Sequence, residues 1–496
     1  MLLLLALLLL AFAWIRLVKW RRFHGLRGLS DYPMNCYYFL HTFSFHSLAE
    51  LPQIILSSCK LFQKESVGFV AWFGPVPYVV LTSVEAVGAL VRSGNLRKAR
   101  EYAAMRDIFE EGLITVQSPE TWKQKRKLIT PTFHNHFLAI YTRIFRQHGD
   151  RLVSRLAELS QSGSVDVYGL LVRGSLDAVC EAMLGRHFNA LHSPDEAFLK
   201  AKIRAEAIAM QRMLKPWLRP QLLFRLFGPY QEFQKSVQCL RAFTSKILEE
   251  RWAERQKAPS QPCSDCNGRQ EAFLDCLIDL ARGGRLAKAD IRQELDTFLS
   301  AGHETVSLSL TWALFCLAHA PDWQARARAE ANTFLAHGDY SLEAVKRGLI
   351  TTEACLKEAM RLYPPVPVIG RTIDEPLRIG SVELGPGTTV SFMPHSLHRD
   401  PRHWPDPERF DPARFSEAAS EKRTPFAFLP FSAGARNCIG QKFALLETKI
   451  LLAKILGAFE VEALQERHEV EPLVELGTKP PNHSLHLYFK PHKSLQ

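Results

Sequence analysis

The chain has 496 residues, of which 47% are hydrophobic and 10% aromatic, so it can bury a large core. Its net charge is +11, but no run of basic residues carries interleaved aromatic side chains. This argues against nucleic acid and favours an anionic membrane surface or an acidic protein as partner. The ten cysteines are scattered rather than paired, which argues against a disulfide-stapled fold and indicates reduced thiols on a cytosolic face.

The N-terminal end carries an uncharged apolar stretch, residues 2–15. Basic residues follow at once: Arg16, Lys19, Arg21 and Arg22. Apolar length followed by positive charge predicts a signal anchor over residues 1–20 that leaves the rest of the chain in the cytosol. A cleaved signal peptide is the alternative, but it would need a basic start and a small-residue cleavage site.

The rest of the chain is predicted to be mainly α with a small β region. Residues 21–45 have mixed character and are predicted to be a linker, followed by one domain over 46–496. Residues 68–74 and 78–82 resemble two strands of a hairpin around a Gly-Pro-Val-Pro turn. Long helical patterns dominate after residue 120, and short strands return near 377–392 and at the C-terminal end.

The stretch 431–440, FSAGARNCIG, combines a thiol with residues that suit a large flat ligand. Gly434 and Gly440 lack a Cβ and let the backbone bend and approach closely. Arg436 places a positive charge two residues before Cys438, which suits a carboxylate on a cofactor and favours the thiolate. The apolar helical spacing after the loop puts the thiol just ahead of a helix N-terminus, which also stabilises a thiolate. One fixed thiolate without a second soft ligand suits haem iron better than zinc, whereas a structural cysteine would need neither the arginine nor both glycines.

The pattern Phe-x-x-Gly-x-Arg-x-Cys-x-Gly resembles the haem-binding loop of the cytochrome P-450 family at every specified position. The resemblance covers about residue 46 to the end, is closest to family 4, and implies the mainly helical cytochrome P-450 fold. It further implies haem b, non-covalent apart from the bond between its iron and the axial ligand Cys438. In this loop, Phe431, Gly434 and Arg436 are the implied cofactor contacts.

Trp122 and Arg126 lie one helical turn apart. In the family, a tryptophan and an arginine at this spacing after a Gly-Leu-Ile segment, here 112–114, bind a haem propionate. The wider string WKQKRKLITPTFH is similar to family-4 members in particular. A solvated basic helix face explains the lysines of this string equally well.

The longest helical pattern runs over residues 290–320 and is closed by Pro321. Its middle, AGHET, places a glycine, an acid and a hydroxyl where they are costly by helix propensity. This resembles the P-450 oxygen-activation motif, in which the helix opens beside the haem iron. The resemblance implies that Ala301 borders the cofactor and that Glu304 and Thr305 relay protons during oxygen activation. A kinked core helix is the alternative.

Two positions of this motif depart from family 4. Many fatty-acid hydroxylases of that family have a glutamate where this chain has Ala301, and that glutamate can become esterified to the haem. Ala301 cannot form the ester, so strict hydroxylation of a terminal carbon is not implied. The second threonine is replaced by Val306, and His303 is expected to be a packing residue.

Glu358 and Arg361 are spaced i, i+3 on a predicted helix and can form an intrahelical ion pair. The resemblance adds Arg409, from the string Pro-Glu-Arg-Phe at 407–410. It implies a buried Glu-Arg-Arg network that supports the haem loop structurally and takes no part in catalysis.

The strip 366–371, VPVIGR, is apolar and then charged. In the family this strip borders the substrate pocket, and an arginine or histidine here binds the second propionate, which makes Arg371 the candidate. The predicted pocket residues are apolar and imply only a lipophilic substrate: Ile114, Phe298, Val366 and Val368.

Three further stretches carry weaker signals. Residues 211–229 mix apolar bulk with basic flanks, which suits either shallow insertion into a membrane interface or an ordinary packed helix pair. Cys263 and Cys266 form a lone Cys-x-x-Cys, which is weak evidence for zinc and is interpreted as loop. Residues 477–482 resemble the turn whose tip enters the family's substrate pocket.

Together the motifs imply a monooxygenase of the endoplasmic reticulum membrane that inserts one atom of O2 into a C–H bond of a fatty acid or related lipid. Electrons would come from NADPH through NADPH–cytochrome P-450 reductase, with cytochrome b5 as a further partner. The basic residues at 123–127, with Lys442 and Lys449, are predicted to form the landing surface.

Three alternatives stay open: an enzyme that oxidises steroids or foreign compounds, a lipid-peroxide isomerase or dehydratase that needs no reductase, and a non-catalytic haem-binding membrane protein. Glu304 and Thr305 favour the monooxygenase, because the isomerases often lose this pair.

Overall fold

The computed structural model describes Trp14 and residues 29–31, 57, 59–62, 64–73, 76–192, 196–257 and 272–492. The α-helices of these residues are α1 (Val84–Arg92), α2 (Arg106–Phe109), α3 (Pro119–Ile129), α4 (Asn135–Ser160), α5 (Val167–Leu184), α6 (Glu196–Leu214), α7 (Gln221–Phe227), α8 (Tyr230–Lys257), α9 (Phe273–Arg282), α10 (Lys288–Ala318), α11 (Pro321–His337), α12 (Leu342–Gly348), α13 (Ile350–Leu362), α14 (Pro394–Leu397), α15 (Glu417–Glu421) and α16 (Gln441–Ala458).

The strands are β1 (Ser30–Asp31), β2 (Gly68–Phe73), β3 (Val76–Leu81), β4 (Val165–Asp166), β5 (Ile369–Thr372), β6 (Leu377–Ile379), β7 (Val382–Leu384), β8 (Thr389–Phe392), β9 (Phe459–Ala463), β10 (Leu473–Val474), β11 (Thr478–Lys479) and β12 (His486–Pro491). Short 3-10 helices cover Arg100–Met105, Thr130–Phe133, Pro216–Leu218, Pro412–Phe415, Arg467–Glu469 and Pro481–His483. The predicted mainly α fold with a small β region is confirmed.

The largest sheet has five strands in the order β1-β2-β3-β8-β5. Its β2–β3 hairpin is antiparallel with Val70 opposite Val79, which confirms the predicted hairpin. Strand β8 lies parallel to β3 and antiparallel to β5, so the strand that carries Arg371 is joined to the hairpin through β8. The edge strand β1 pairs with β2. Residues 30–31, inside the stretch predicted to be a linker, therefore pair with the sheet.

Helix α10 crosses the core of the molecule. It begins at Lys288, two residues before the predicted start, and ends at Ala318, ahead of Pro321, which begins the next helix. Every residue from 306 to 317 is buried, and such a helix needs apolar or internally bonded side chains around its whole circumference. Trp312 stacks on Tyr363 with ring centroids 4.1 Å apart, and its indole N–H donates to the carbonyl of Thr478 (2.7 Å).

A buried ion-pair network fastens α13 to the 3-10 turn at Pro412–Phe415. Arg361 Nε and Nη2 donate to the two carboxylate oxygens of Glu358 at 2.7 and 2.9 Å, and neither side chain is exposed. The second guanidinium on Glu358 comes from Arg414, whose Nε lies 3.4 Å from Oε1. The side chain of Arg409 is exposed, and only its carbonyl takes part, by accepting from Arg361 Nη2 (3.1 Å).

The assignment of Arg409 to this network is therefore wrong, and Arg414 takes its place. The chain repeats a Pro-x-Arg-Phe pattern at 407–410 and 412–415. The second copy buries Phe415 in a turn whose entry residue, Asp411, donates its backbone N–H to Glu358 Oε1 (2.8 Å). That turn brings Arg414, rather than Arg409, next to the buried carboxylate of Glu358.

Several predicted features lie outside the described residues: Cys263, Cys266 and, except for Trp14, the anchor at 1–20. None of the helices that the structure describes is both long enough and apolar enough to span a bilayer.

The stretch 211–229 forms the end of α6, a 3-10 turn and α7. Leu218 and Phe224 of this stretch are buried. Three other apolar side chains face solvent with exposed fractions of 68%, 65% and 74%: Leu222, Leu226 and Phe227. The segment therefore packs on the core through some apolar side chains and presents others to solvent.

We expect Arg414→Ala to lower the free energy of unfolding by about 1–3 kcal/mol, because buried Glu358 loses one of its two cationic partners. Arg409→Ala is the matched control and should change it by less than about 0.5 kcal/mol, since its side chain is exposed. Urea unfolding followed by circular dichroism measures both. A larger effect for Arg409→Ala than for Arg414→Ala would restore the original assignment.

Candidate active site

The loop before α16 closes on itself around Cys438. The backbone N–H of Cys438 donates to the carbonyl of Phe431 (2.9 Å). Gly434 has a φ of +69°, and a Cβ at this position would lie 2.0 Å from the carbonyl oxygen of Val91. Only glycine fits both the left-handed backbone and the close approach. Helix α16 begins at Gln441, so the predicted position of the thiol just ahead of a helix N-terminus is confirmed.

Opposing effects act on the thiol of Cys438. Burial raises its pKa above the ordinary value, although the backbone N–H of Gly440 and the charges of Arg126 and Lys98 act to lower it. A bound metal cation deprotonates a coordinating thiol outright. The protein alone therefore favours the protonated thiol, and a bound metal ion would supply what the thiolate needs.

Arg436, expected to favour this thiolate, points elsewhere. Its buried guanidinium donates to the carbonyls of Leu96 (2.9 Å) and Val116 (3.0 Å) and lies 4.4 Å from the ring centre of Trp122. Trp122 is buried and carries Arg436 on its ring face. Arg436 and Trp122 therefore stabilise each other's position beside the cysteine loop.

Arg126 connects α3 to the cysteine loop. Its Nη1 donates to the carbonyl of Asn437 (2.8 Å), and its Nη2 donates to the side-chain oxygen Oδ1 of the same residue (2.9 Å). This bidentate contact places a positive charge one residue from Cys438.

Arg371 and Lys98 bring two more positive charges from β5 and the segment paired with it. Arg371 is 5% exposed, and its Nη1 donates to the carbonyl of Gly370 (3.0 Å). Lys98 forms a β-bridge with Arg371 and has its ammonium 4.7 Å from the ring centre of Tyr102. Burial, followed by the charges of Arg371 and Arg436, holds the pKa of Lys98 well below its usual range. These charges act on one another across a low-dielectric interior.

These four side chains form a cation cluster: Lys98, Arg126, Arg371 and Arg436. Within the described part of the chain, none of them has a carboxylate at ion-pair distance; their contacts are to backbone, amide and aromatic groups. Buried charges are normally paired, so the cluster fits a ligand that brings its own carboxylates. A haem, with an iron for the thiol and two propionates for the cations, meets both requirements.

A strap at residues 111–116 joins the cation cluster to α10. Leu113 accepts from Arg436 Nη1 through its carbonyl (3.3 Å) and donates its N–H to Glu294 on α10 (3.0 Å). Buried Lys125 donates to the Glu111 carbonyl (2.7 Å) and pairs with Glu294 (3.2 Å). The cysteine loop and the central helix are thus held in a fixed relation.

The AGHET motif lies on α10 as predicted. Ala301 and Thr305 are half-buried one turn apart, and the Thr305 hydroxyl donates to the Ala301 carbonyl (2.8 Å). A Cβ on Gly302 would lie 3.2 Å from two carbons of Val179, so this glycine lets α5 approach closely. His303 is buried and bonds the Leu299 carbonyl (2.6 Å), which confirms a packing residue.

Glu304 lies between two ammonium groups. Lys202 on α6 is 2.6 Å from its Oε2, and Lys479 on β11 is 2.9 Å from its Oε1. Burial alone would raise the pKa of Glu304, but the two lysines hold it well below its usual range. Glu206 pairs with Lys202 (2.8 Å), and burial with the Glu304 charge raises its pKa. Glu304 is therefore an ionised carboxylate whose nearest protons are on the lysines.

The predicted pocket residues do not all have the same surroundings. Ile114, Val366 and Val368 are half-buried, as a pocket wall requires. Phe298 is packed between Phe133 and Phe273, with ring centroids 5.5 and 4.8 Å away. Phe298 is thus largely buried among aromatic rings, and its place in the pocket wall stays a prediction.

The turn at 477–479 packs on α10 beside the AGHET motif. A Cβ on Gly477 would lie 2.6 Å from a methyl carbon of Leu308 on α10. The Thr478 N–H donates to the Pro365 carbonyl (3.1 Å), next to the predicted pocket strip.

Part of the predicted landing surface is buried. Lys125 is bound to Glu294 as described, and Lys449 is 3% exposed and pairs with Glu353 (2.7 Å). The exposed members are Lys123, Lys127 and Lys442. Lys125 and Lys449 therefore belong to the interior.

Sequence reasoning missed four side chains at this site: Lys98, Arg414, Lys202 and Lys479. The second Pro-x-Arg-Phe copy was a usable signal for Arg414. The three lysines stand in ordinary polar contexts, and only the tertiary fold brings them to Arg371 and Glu304.

Comparison with known proteins agrees with this geometry. A family model described as Cytochrome P450 matches residues 32–487. The chain is similar to mouse cytochrome P450 4V2, with 34% identity over 422 residues, 83% of this chain and 80% of that protein. It is also similar to Drosophila melanogaster cytochrome P450 4c3, at 33% over 82% of this chain and 79% of that protein. Probable cytochrome P450 4s3 of the same fly is 35% identical over 85% of each chain. This match over most of its length shows that the chain belongs to the cytochrome P450 family, and the thiol loop with its neighbouring cation cluster agrees with it.

Proposed function

We propose that this cytochrome P450 monooxygenase inserts one atom of O2 into a C–H bond of a fatty acid or related lipid, using haem b and electrons from NADPH through a flavin reductase. The observation that carries the proposal is the Cys438 thiol beside the cation cluster, whose members have no carboxylate at ion-pair distance among the described residues. That arrangement suits a porphyrin with a thiolate on its iron and two propionates on its edge.

The chain's own residues divide the work of holding the cofactor. Cys438 would bind the iron, while Arg126, Arg371 and Lys98 would neutralise the propionates, with Arg436 and Trp122 bracing the loop from behind. Gly434 keeps the loop close to α1 through the approach to Val91. When bound, haem supplies the oxidising chemistry, and the thiolate donates electron density that favours O–O cleavage.

We assign proton delivery to Thr305 and Glu304. Thr305 holds a proton at Oγ1 on the half-buried face of α10, and Glu304 accepts hydrogen bonds from both lysine ammonium groups. Although burial acts against both lysines, pairing with carboxylates raises the pKa of Lys202 and of Lys479, so these ammonium groups keep their protons. The two lysines would thus hold Glu304 as a fixed, ionised carboxylate that orders the solvent water from which protons reach Thr305.

The outer face of α7 suits a membrane surface. Its exposed apolar residues are joined by basic flanks such as Arg225, which matches shallow insertion into an anionic interface. This supports a location on the cytosolic face of the endoplasmic reticulum membrane. The exposed lysines 123, 127 and 442 would face an acidic reductase or cytochrome b5.

Cys438→Ser should abolish the thiolate-type Soret band in the ferrous–CO difference spectrum, because a serine hydroxyl does not replace the thiolate ligand. Circular dichroism should stay unchanged. Cys239→Ser, at a partly exposed cysteine on α8, is the control and should keep the band. A Cys438→Ser protein with an unaltered band would refute the assigned ligand.

Thr305→Ala should keep the Soret band but reduce the fraction of consumed NADPH that yields product, by roughly tenfold or more, with hydrogen peroxide formed instead. Thr311→Ala removes a similar hydroxyl bonded to the residue four positions earlier and is the matched control. Intact coupling in Thr305→Ala, or equal uncoupling in both variants, would contradict the proton-delivery role. Turnover without NADPH and reductase would instead favour the isomerase alternative.

Fatty acids should shift the haem of the purified holoprotein from low to high spin at lower concentration than steroids or aromatic drugs. The physical reason is displacement of water by an apolar chain in a lipophilic pocket. A panel of matched concentrations, read by absorbance, ranks the ligands. A shift with steroids alone would replace the lipid substrate by the steroid alternative.

A further inference from the structure

Three metal-ligating side chains converge at the junction of α4 and α5, outside the residue clusters described above. His148 lies on α4, Glu181 near the end of α5, and His187 in the segment that follows. Nε2 of His148 lies 2.6 Å and Nδ1 of His187 lies 2.9 Å from the same oxygen of Glu181, Oε2. The three ligand atoms all lie within 4.8 Å of one another.

The segment that carries His187 is fixed at both ends. Gly185 ends α5 in the left-handed conformation, with φ +67°, and its N–H donates to the Glu181 carbonyl (3.0 Å). Five and six residues after Gly185, the N–H groups of Ala190 (2.6 Å) and Leu191 (3.0 Å) donate to the carboxylate of Asp177. The glycine turn directs the chain back over Glu181, so the position of His187 is set by the fold.

The site has two interior ligands and one at the surface. The side chains of His148 and Glu181 are 4% and 8% exposed, whereas that of His187 is 63% exposed. Glu181 and His187 also line a cleft of about 170 Å³ beside Ile144 and Arg251. The cleft has room for the water that completes the coordination of an ion with three protein ligands.

We propose that His148, Glu181 and His187 bind a divalent transition-metal ion, with Zn²⁺ the best-suited species. Two imidazoles and one carboxylate match zinc coordination, whereas Ca²⁺ and Mg²⁺ prefer oxygen ligands alone. Ligand atoms each about 2.1 Å from a tetrahedral ion lie about 3.4 Å apart, so the two imidazoles need to move outward by less than about 1 Å.

A bound ion would join α4, α5 and the segment after α5 at one point. Val179, two residues before Glu181, is the residue that packs against Gly302 in the AGHET motif. The ion would therefore brace the helix directly behind that motif without touching the residues assigned to catalysis.

The test is equilibrium dialysis of the full-length holoenzyme against Zn²⁺, with metal analysis of the protein. We expect one high-affinity ion per chain, and we expect His187→Ala to weaken its binding by at least roughly tenfold. His187 is exposed, so the variant should fold, and an unchanged ferrous–CO spectrum verifies this. His192→Ala, at an exposed histidine of the same segment, is the matched control and should bind as tightly as the natural chain.

Cys263 and Cys266 offer a competing thiol pair, so the double variant Cys263→Ser/Cys266→Ser is measured in parallel and should keep the ion. Glu181→Gln retains the shape of the side chain but loses its charge, and should weaken binding as His187→Ala does. Any one of three results overturns the proposal: no high-affinity Zn²⁺ on the natural chain, equal affinity in His187→Ala, or loss of the ion in the double cysteine variant.

Discussion

The structure depends on a charge imbalance kept in its interior. Lys98, Arg126, Arg371 and Arg436 place four basic groups around the Cys438 thiol, and their partners among the described residues are carbonyl, amide and aromatic groups. Such an arrangement is costly for a protein alone, because buried charge without an opposite charge is poorly solvated. It becomes favourable when a ligand contributes two carboxylates and a metal cation. The interior is thus built for the holoprotein.

The charges around Glu304 differ from the cation cluster, because each has a partner of opposite charge within the chain. Around Glu304, the carboxylates and ammonium groups balance within the chain, with contacts of 2.6–2.9 Å to Lys202 and Lys479. These lysines come from α6 and β11, which are distant in sequence. Since the strap at 111–116 joins Glu294 of α10 to Arg436, the helix that carries Glu304 is fastened to the cation cluster by a short piece of backbone.

The sequence was informative wherever function is encoded in a short local pattern. The loop around Cys438, the helix that carries AGHET and the β2–β3 hairpin all followed from spacing and residue type. Predictions failed where two local patterns compete or where the partner is remote. Arg409 and Arg414 stand in the same kind of tetrapeptide, and only the buried turn at Pro412–Phe415 decides between them. Likewise, nothing near Lys449 in the sequence indicates Glu353, which removes that lysine from the surface.

The β-bridge between Lys98 and Arg371 and the packing of Phe298 between two aromatic rings illustrate the same limit of sequence-based prediction. Both depend on how a loop or a helix face meets another element, which periodicity does not encode. Residue type predicts what a side chain can do, whereas tertiary packing decides which neighbour it does it with.

X-ray absorption at the iron edge of the purified holoprotein tests the central claim most directly, because it identifies the atoms bound to the iron. The account predicts one sulfur ligand besides the four porphyrin nitrogens. An iron bound only by nitrogen and oxygen would contradict it, since the loop at 431–440 would then hold something other than a haem thiolate.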